Sequence, residues 1–497
     1  MKIGACFSWQ RKVFLCTIIF RRKICPTNIF LLSLHTIYYP EMTPVNSYNF
    51  IDLFAGLGGI RIGLERAARK EHVKVKCVLT SEVKKTAIES LQNRYKKEKV
   101  DYDVTKIHAN TISDNFDIVL AGFPCQAFSQ AGLGMGFLDK TRGTLFFDVL
   151  RLIIESTELG HKPKGFILEN VEGLINHGGK IEGAKYGRTL TTILESLDKA
   201  GYNVIAKLLD ASEYGCPQMR KRVYIVGVAK EIGAVDLENL PKSHKTFGSI
   251  MEHGLPTDKS AFAQRLIEVY GVDNLPGKAI KDKRGGENNI HSWDVAARGA
   301  TTSDQRQLLN ALFLERRKKH WCAEIGIDWM DGIPLTKQQI ETFYTHPQLQ
   351  DLLDDLVHKG YLTYEHPKKK IKFSDGENTA YRRIPDETKE KGYNIVAGKL
   401  SFDYTKFLDP QKPTHTMVAM DMERVGVIDG DGIRHLTINE GLKLFGYSNY
   451  NLSYLESRKN GKAIAFDLLG NSVCVPVIEA IARRLIQTLE SYGKDQV

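Results

Sequence analysis

Short apolar runs alternate with segments of helical spacing through the first half of the chain. The runs cover residues 50–53, 73–80, 117–121, 165–169 and 223–228. Each run is short and bounded by polar or turn residues, which is typical of buried strands. Residues 60–70 instead carry apolar side chains at helical spacing. This alternation predicts an α/β fold with a doubly wound, mostly parallel sheet.

The doubly wound pattern stops between about residues 228 and 409. Residues 302–320 and 336–359 show helical periodicity there. Residues 360–364, followed by the lysine-rich run 367–372, predict a helix that leads into a basic hairpin. A winged-helix DNA reader would show that order of elements. The alternative is a set of helices that pack on each other beside a solvated lysine run.

The composition is ordinary for a globular protein. The chain has 497 residues, enough for two or three domains, with 42% hydrophobic residues and a mean hydropathy of −0.27. Its eight cysteines show no metal-ligand spacing and no close pairs. We therefore expect reduced thiols in a cytoplasm and no metal site. The net charge is +10, of which residues 1–41 supply +5, so affinity for a polyanion is expected from local patches.

A cysteine lies directly after the third predicted strand. Residues 122–130 read Gly-Phe-Pro-Cys-Gln-Ala-Phe-Ser-Gln, so Cys125 follows the strand and Pro124 stiffens the loop. Open α/β sheets carry their ligands and chemistry at this end of the strands. A lone cysteine is more often a small buried hydrophobe, so its interpretation depends on the other motifs.

Three consecutive predicted strand ends suit a nucleotide-like ligand. The glycine-rich turn at residues 56–59 lets a ligand lie against the backbone at a helix N-terminus. Glu82, about 20 residues further on, suits a ribose diol. Asp103 and Val104 mark the third strand end. The carboxylate would bind the amino group of an adenine, and the apolar side chain would contact its ring face. A glycine-rich turn alone could serve any nucleotide or merely pack tightly, but the three together predict an adenosine-containing cofactor.

Seven segments of the chain resemble, in the same order along the sequence, motifs of the DNA (cytosine-5)-methyltransferase family, of the bacterial restriction–modification type. The matching segments are residues 52–59, 122–126, 142–148, 169–171, 218–222, 434–440 and 470–473. The resemblance implies a class I S-adenosylmethionine-dependent methyltransferase fold with an inserted target-recognition domain. The implied parts are an atypical extension (1–45), a catalytic domain (46–228), a target-recognition domain (229–409) and a segment that completes the catalytic domain (410–497).

The extension differs in character from the rest of the chain. Its apolar runs, residues 13–20 and 29–34, are interrupted by the basic residues 21–23, and neither reaches the ~20 residues needed to cross a bilayer. A cytosolic DNA enzyme has no use for a signal peptide. We expect the natural start at Met42, with a weak membrane or partner anchor as the alternative.

The chemistry that the resemblance implies is consistent with the residue types. A thiolate that adds at C6 of cytosine makes C5 nucleophilic, and Cys125 is the expected nucleophile. Glu169 would protonate or hydrogen-bond N3 if burial raises its pKa, and its alternative is a helix-capping carboxylate. Arg222 would donate to O2 and favour the thiolate. Arg220 would share that task or contact phosphate, and a purely structural salt bridge is the alternative for one of the two arginines.

The resemblance also implies which residues contact S-adenosylmethionine. They are Phe54, Gly56, Gly58, Gly59, Glu82, Asp103, Val104, Pro124, Leu145, Asn471 and Ser472. The last two come from the C-terminal motif, so the end of the chain, with a helix predicted over residues 475–489, is expected beside its beginning. Val83 departs from the family pattern, which often has a larger side chain stacked on the adenine there.

Duplex DNA is the implied substrate, with the target cytosine flipped out of the stack. The expected DNA contacts are Ser129, Gln130, Arg142, Gln218, Thr414 and Thr416. Residues 126–136, rich in small side chains, are expected to form a mobile loop that closes over the flipped base.

The implied setting is protection of host DNA at a short specific site. We expect a monomer, no membrane, and a functional pairing with a restriction endonuclease without a stable complex. One alternative is a cytosine-5 methyltransferase of the same fold that acts on transfer RNA, which the long insertion at residues 229–409 disfavours. The other is an inactive DNA-binding protein, which the presence of every chemically required residue disfavours.

Overall fold

The computed structural model describes residues 46–124, 145–179, 183–281, 288–375, 378–396 and 402–495. All of them belong to one compact unit that begins at Asn46. The helices are α1 Gly59–Lys70, α2 Lys85–Arg94, α3 Leu145–Glu158, α4 Arg188–Lys199, α5 Ala261–Tyr270, α6 Ser303–Glu315, α7 Lys319–Ile325, α8 Lys337–Glu341, α9 Leu349–His358, α10 Ala419–Met422, α11 Ile438–Leu444, α12 Gly461–Gly470 and α13 Val475–Asp495.

The strands form one large sheet and three smaller ones. They are β1 Ser47–Leu53, β2 Lys74–Ser81, β3 Ile118–Ala121, β4 Gly165–Val171, β5 Tyr202–Asp210, β6 Lys221–Ala229, β7 Ala279–Ile280, β8 Asn289–Ile290, β9 Leu362–Glu365, β10 Lys368–Asp375, β11 Asn378–Pro385, β12 Gly392–Ile395, β13 Lys406–Phe407, β14 Val425–Asp429 and β15 Gly432–His435.

The large sheet has the order β2-β1-β3-β4-β6-β5. Strands β2, β1, β3 and β4 run parallel, while β6 is antiparallel to both β4 and β5. Successive side chains of a strand enter opposite cores: Phe50 packs with α1 and α13, and Ile51 packs with α3 and α4. Helices therefore cover both faces, which confirms the predicted doubly wound, mostly parallel sheet.

The end of the chain packs against its beginning, as expected. Helix α13 lies along α1, and a Cβ added at Gly63 would stand 2.5 Å from Cγ2 of Ile478. By length and composition the run Gly461–Gly493 would pass for a membrane span, yet 67% of its most apolar window is buried inside the fold. Core helices of globular proteins share that property.

Two predictions of secondary structure need correction. Asp103 does not end a strand: Tyr102 makes only an isolated bridge to Ser81, and Asp103 caps a short 3-10 helix by accepting from the backbone N–H of Thr105 at 3.1 Å. A short acidic side chain that bonds its own backbone favours a turn over a ladder. Residues 336–359 form two helices, α8 and α9, and Pro347 lies in the connection between them.

Residues 293–395, which follow the last strand of the large sheet in sequence, contain a separate core. Trp293, Phe313, Leu353 and Tyr361 are among its buried residues, contributed by helices α6 to α9 and strands β9 and β12. Strands β10 and β11 form the antiparallel hairpin that the lysine-rich run predicts. The five-stranded sheet β15-β14-β13-β7-β8 draws strands from both sides of residue 409.

Candidate active site at the carboxyl ends of the strands

The turn between β1 and α1 is built from left-handed backbone conformations. Phe54, Gly56 and Gly58 have φ values of 55°, 57° and 73°. Glycine adopts this region without a steric penalty, and Gly58 is the N-cap residue directly before α1. A Cβ at Gly56 would meet nothing within 4 Å, so the backbone there faces open space. The turn therefore leaves room for a ligand at the N-terminus of α1.

Glu82 fixes this turn to the end of β2. One carboxylate oxygen accepts the backbone N–H of Gly56 at 2.7 Å, and the other accepts those of Val83 and Lys84, both at 2.8 Å. Ser81 pairs with Tyr102. The residues that follow these two, Glu82 and Asp103, therefore lie on adjacent segments. Glu82 thus has a structural role besides any ligand contact.

Asp103 and Val104 differ in what they present at this edge. The carboxylate of Asp103 accepts from Oγ1 of Thr105 at 2.8 Å and is half-buried, whereas Val104 is buried in the core beside α3. Val83 is 67% exposed and so presents apolar surface to the outside.

The C-terminal motif closes one side of the turn. A Cβ at Gly59 would lie 2.5 Å from the hydroxyl of Tyr447 and 2.6 Å from Cγ2 of Val473. Ser472 is buried, and its hydroxyl hydrogen-bonds that of Tyr447. Asn471 is exposed, and its amide donates to the backbone oxygen of Asp467 at 2.8 Å. Ser472 therefore meets the turn, whereas the amide of Asn471 is directed back into α12.

A charged group that the sequence did not single out lies behind the turn. Asp52 is 1% exposed, and its Oδ2 has no hydrogen-bond partner among the described residues. Burial raises the pKa of Asp52 to about 7, against the opposing effect of Arg61. Arg61 is itself buried and pairs with Glu98 at 2.6 Å and Glu65 at 2.8 Å. Its charge is thus largely committed to other carboxylates.

Glu169, near the end of β4, forms the floor of the candidate active site with Arg222. Oε1 of Glu169 lies 3.1 Å from Nε of Arg222 on the neighbouring strand β6. A Cβ at Gly122 would stand 3.6 Å from the other oxygen, Oε2, which places this carboxylate beside the loop that leads to Cys125. Burial raises the pKa of Glu169, opposed by Arg222 and Arg220. The turn after β4 begins at Val171 without a side-chain cap, so the structure does not support the helix-capping alternative.

Asn170 is a positioning residue that the sequence analysis missed. It is 2% exposed, and its side-chain amide donates to the backbone oxygen of Phe123 at 2.9 Å. Its amide oxygen accepts the N–H of Val171 at 2.8 Å. The bond to Phe123 ties the end of β4 to the loop after β3. The Glu-Asn-Val motif contained this signal, because an amide directly after a buried strand needs partners.

The structure gives Gln218 and Arg220 structural roles. Arg220 is 3% exposed and donates to the backbone oxygens of Met417, Gly470 and Ser472 at 2.8 to 3.0 Å. This geometry replaces the predicted phosphate contact and matches the structural alternative, with carbonyls in place of a salt bridge.

The predicted DNA contact of Gln218 is wrong for this conformation. Its side chain is fully buried, accepts from the N–H of Met417 at 2.9 Å and donates to the oxygen of Leu444 at 3.3 Å. Both residues thus hold the segment that carries Thr414 and Thr416 against the end of the chain.

Thr414 and Thr416 lie beside the start of β6. Thr414 is 4% exposed, and its backbone bridges that of Gln218. The hydroxyl of Thr416, which is half-buried, donates to the backbone oxygen of Met219 at 2.6 Å. Thr416 is therefore the more accessible of the two to a substrate.

Four predicted site residues lie outside the described part of the chain. They are Cys125, Ser129, Gln130 and Arg142. Pro124, which is exposed, and Leu145, which begins α3, flank the segment that contains them. Both flanks are anchored to the large sheet and its helices, so the segment starts and ends at the carboxyl edge of the strands.

The described residues fit an adenosine-containing group on one side and a planar ring on the other. The open backbone at Gly56 and the acidic residues Glu82 and Asp103 lie at neighbouring strand ends. Glu169, whose raised pKa suits a proton donor, and Arg222 pair at the end of β4, which lies two strands from β1 in the large sheet. An acid of raised pKa beside a guanidinium suits a substrate that takes up a proton during the reaction.

Known proteins resemble this chain over most of its length. Residues 48–487 match the family described as C-5 cytosine-specific DNA methylase. The chain is 53% identical over 441 residues to the Type II methyltransferase M.NlaIV of Neisseria lactamica, and 52% identical over 441 residues to M.NgoBV of Neisseria gonorrhoeae. Both alignments cover 88% of this chain and 99% of the relative. M.BanI of Aneurinibacillus aneurinilyticus is 37% identical over 461 residues, covering 88% and 95%.

Proposed function

The chain belongs to the C-5 cytosine-specific DNA methylase family and is a DNA cytosine-5 methyltransferase of the bacterial restriction–modification type, and on that premise we propose how it acts. It methylates one cytosine within a short specific sequence of duplex DNA, through a covalent bond between Cys125 and C6 of the flipped base. It thereby protects host DNA from a partner endonuclease with which it forms no stable complex.

The family and its fold imply S-adenosylmethionine as the methyl donor. When bound, this cofactor supplies a methyl group on a positively charged sulfur. The turn from Phe54 to Gly59 would hold its methionine end, where the backbone at Gly56 faces open space. Glu82 would accept the ribose hydroxyls with the lone pairs left free by its three backbone contacts, and Asp103 would accept the adenine amino group.

Cys125 acts first, as a thiolate whose sulfur adds to C6 of cytosine. As the S–C6 bond forms, N3 takes the proton of the Glu169 carboxyl, so negative charge does not accumulate on the ring. The electron-rich C5 then takes the methyl group. Arg222 donates to the ring oxygen O2 and, as a nearby cation, favours the thiolate form of Cys125.

The product is released by elimination. Water removes the proton from C5, the C5–C6 double bond re-forms, and the thiolate of Cys125 leaves. Glu169 recovers its proton from N3, so the enzyme ends in its starting state. The base must be out of the helix throughout, because neither C5 nor C6 can be approached from above and below while it is stacked.

One observation carries the proposal: a buried carboxyl and a guanidinium meet beside the loop that leads to Cys125. Burial raises the pKa of Glu169, which keeps a proton available for N3. Arg222, 3.1 Å away, holds the carboxyl in place. No other residue pair among the described strand ends combines an acid of raised pKa with a guanidinium next to this loop.

The test combines methyl transfer with mapping of the product. We expect labelled methyl from S-adenosylmethionine to enter plasmid DNA, and bisulfite sequencing to place it in one short recurring sequence. Cys125→Ala should abolish transfer and leave selective DNA binding largely intact. Turnover by Cys125→Ala would contradict the covalent mechanism, and methylation without a recurring sequence would contradict the site specificity.

The transfer RNA alternative is not favoured. The relatives that align over nearly their full lengths are Type II methyltransferases. Labelling of transfer RNA but not DNA in the same assay would reverse that judgement on the substrate and leave the chemistry unchanged.

A further inference from the structure

The hairpin of β10 and β11 concentrates basic residues in a short two-stranded element. Residues 368–385 contain six lysines and arginines, and the two acidic residues of this stretch are Asp375 and Glu377 near the tip. The two strands pair without interruption from Lys368 opposite Pro385 to Asp375 opposite Asn378. This hairpin has no role in the chemistry described above.

The pairing register separates the basic residues onto two faces. Lys370 lies opposite Arg383 and Lys372 opposite Tyr381. Directly opposite residues of an antiparallel pair point to the same side, and so do residues two apart on a strand. Lys370, Lys372, Tyr381 and Arg383 therefore form one face, which we call the basic hairpin face.

The other face has a different character. Lys369 lies opposite Ile384, and Ile371 lies opposite Arg382. Lys369 is paired with the buried Asp386 at 3.1 Å. Cations and aliphatic side chains thus alternate there, and one of the two cations is neutralised.

The basic hairpin face is exposed and carries one aromatic ring, that of Tyr381, beside its cations. Lys370 lies 4.1 Å from the ring centroid of Tyr381, which is 60% exposed. Arg383 donates to the backbone oxygen of Trp329 at 2.8 Å, and Trp329 is 48% exposed. Lys368, two residues before Lys370, lies on the same side and 4.0 Å from Glu365. By contrast, no ion pair among the described residues joins Lys370, Lys372 or Arg383 to a carboxylate. Their charge is therefore available to a ligand.

We propose that the basic hairpin face binds the phosphate backbone of duplex DNA outside the base pairs held at the active site. This proposal rests on the proposed function, which supplies duplex DNA as the ligand. The phosphates of a duplex form a dense row of negative charge, and a row of cations on a flat strand matches that row without reading bases. Tyr381 would pack against the sugars between phosphates.

The expected consequence is a sequence-independent, salt-dependent contribution to binding. Each phosphate contact adds about 0.9 to the slope of log affinity against log salt concentration. Lys370 and Lys372 should therefore contribute a slope of about 2 between them. Because the hairpin touches neither Glu169 nor the glycine-rich turn in any described contact, the turnover number at saturating DNA should not change.

The test compares two matched double variants of the full-length chain. Lys370→Gln/Lys372→Gln removes two cations from the basic hairpin face, and Lys369→Gln/Arg382→Gln removes two from the opposite face. Dissociation constants are measured by fluorescence anisotropy at several salt concentrations, with a duplex that carries the methylation site and long flanks. Thermal unfolding of each variant verifies that the hairpin region still folds.

For Lys370→Gln/Lys372→Gln we expect the slope of log affinity against log salt concentration to fall by about 2 in magnitude, and binding near 0.1 M salt to be roughly tenfold weaker. Lys369→Gln/Arg382→Gln should bind like the wild type. Equal losses in both variants, or none in either, would overturn the proposal. A single strand or an RNA that binds more tightly than the duplex through the same lysines would overturn the duplex assignment. If the wild type methylates no DNA but the slope difference persists, the proposed function fails and the DNA contact stands.

Discussion

The floor of the active site and the basic hairpin face both place cations against what we infer to be DNA, but they differ in depth. Glu169 and Arg222 are mostly buried and 3.1 Å apart, whereas Lys370 and Lys372 are exposed on a hairpin. Charges in a low-dielectric interior interact strongly and are screened little by salt. The floor therefore depends on the position of each group, and the hairpin depends on the number of its charges.

This difference can be tested through salt. A variant of the floor should lose the same factor in turnover at low and high salt, because its partners are shielded from ions. A variant of the hairpin should lose affinity by a factor that shrinks as salt rises. The predictions below begin with the largest expected effect.

Glu169→Gln should break the floor most severely. Glutamine keeps a hydrogen-bonding side chain of the same shape but cannot give a proton to N3, so we expect turnover to fall by about 10² to 10⁴-fold. Rapid-quench measurement of methyl transfer at two salt concentrations checks this. The exposed Glu172→Gln is the matched control and should be neutral. If the factor by which turnover falls changed with salt concentration, the active-site floor would not differ from the hairpin in its salt dependence.

Asp52→Asn should alter how stability depends on pH. Asp52 stays protonated in the folded chain up to about pH 7, whereas in the unfolded chain it ionises near 3.8. Between these values the folded state binds more protons, so the free energy of unfolding falls as pH rises through this window. The variant does not lose stability in this way, so its free energy of unfolding at pH 8 should exceed that of the wild type by about 2 to 4 kcal/mol.

Urea unfolding at pH 5 and pH 8 measures this difference. The two proteins should differ much less at pH 5, and Asp101→Asn, at an exposed position, serves as control. Parallel pH dependences of wild type and Asp52→Asn would show that Asp52 is ionised in the folded chain. The buried interior would then tolerate a lone charge as readily as the hairpin does.

Asn170→Ala should sharpen the contrast by showing how precisely the floor is held. The variant removes the bond to the backbone of Phe123 and frees the loop that leads to Cys125. We expect turnover to fall by about 10- to 100-fold with little change in DNA affinity, because small displacements of reacting groups are costly. Steady-state kinetics separate the two effects. Asn176→Ala, at an exposed position nearby, should match the wild type, and a purely affinity-based defect in Asn170→Ala would refute the role.

Gly63→Ala should show the smallest effect, and only in stability. The new Cβ would stand 2.5 Å from Ile478, so we expect a loss of about 1 to 3 kcal/mol from overpacking. Gly493→Ala, in helix α13 with nothing within 4 Å, should instead gain up to about 1 kcal/mol from helix propensity. Chemical denaturation of both variants tests this. A stabilised Gly63→Ala would mean that α1 and α13 are loosely packed.

Much of the catalytic half could be predicted from the sequence because its signals are local. Apolar runs fix the strands around residues 50, 118 and 167, and a buried strand ending in Glu169 brings that carboxylate to the edge that carries Gly122. The lysine-rich run likewise predicted the hairpin of β10 and β11.

The errors arose where a side chain has distant partners. Gln218 and Arg220 stand in a motif beside Arg222, but their partners Met417 and Ser472 lie about 200 residues or more along the chain. No local pattern distinguishes a polar side chain that faces a ligand from one that satisfies buried carbonyls. Asn170 is a different case: the motif at residues 169–171 signalled a buried amide that needs a partner, and only the identity of that partner, Phe123 on the loop after β3, could not be read locally.

The glycine-rich turn is made early in translation, but the wall that closes against it is made much later. Gly59 and Gly63 are packed against Val473 and Ile478, which come long after them in the sequence. A nascent chain can therefore contain the turn, Glu169 and Arg222 before that wall exists. A message that stops before Ser472 should yield no active product.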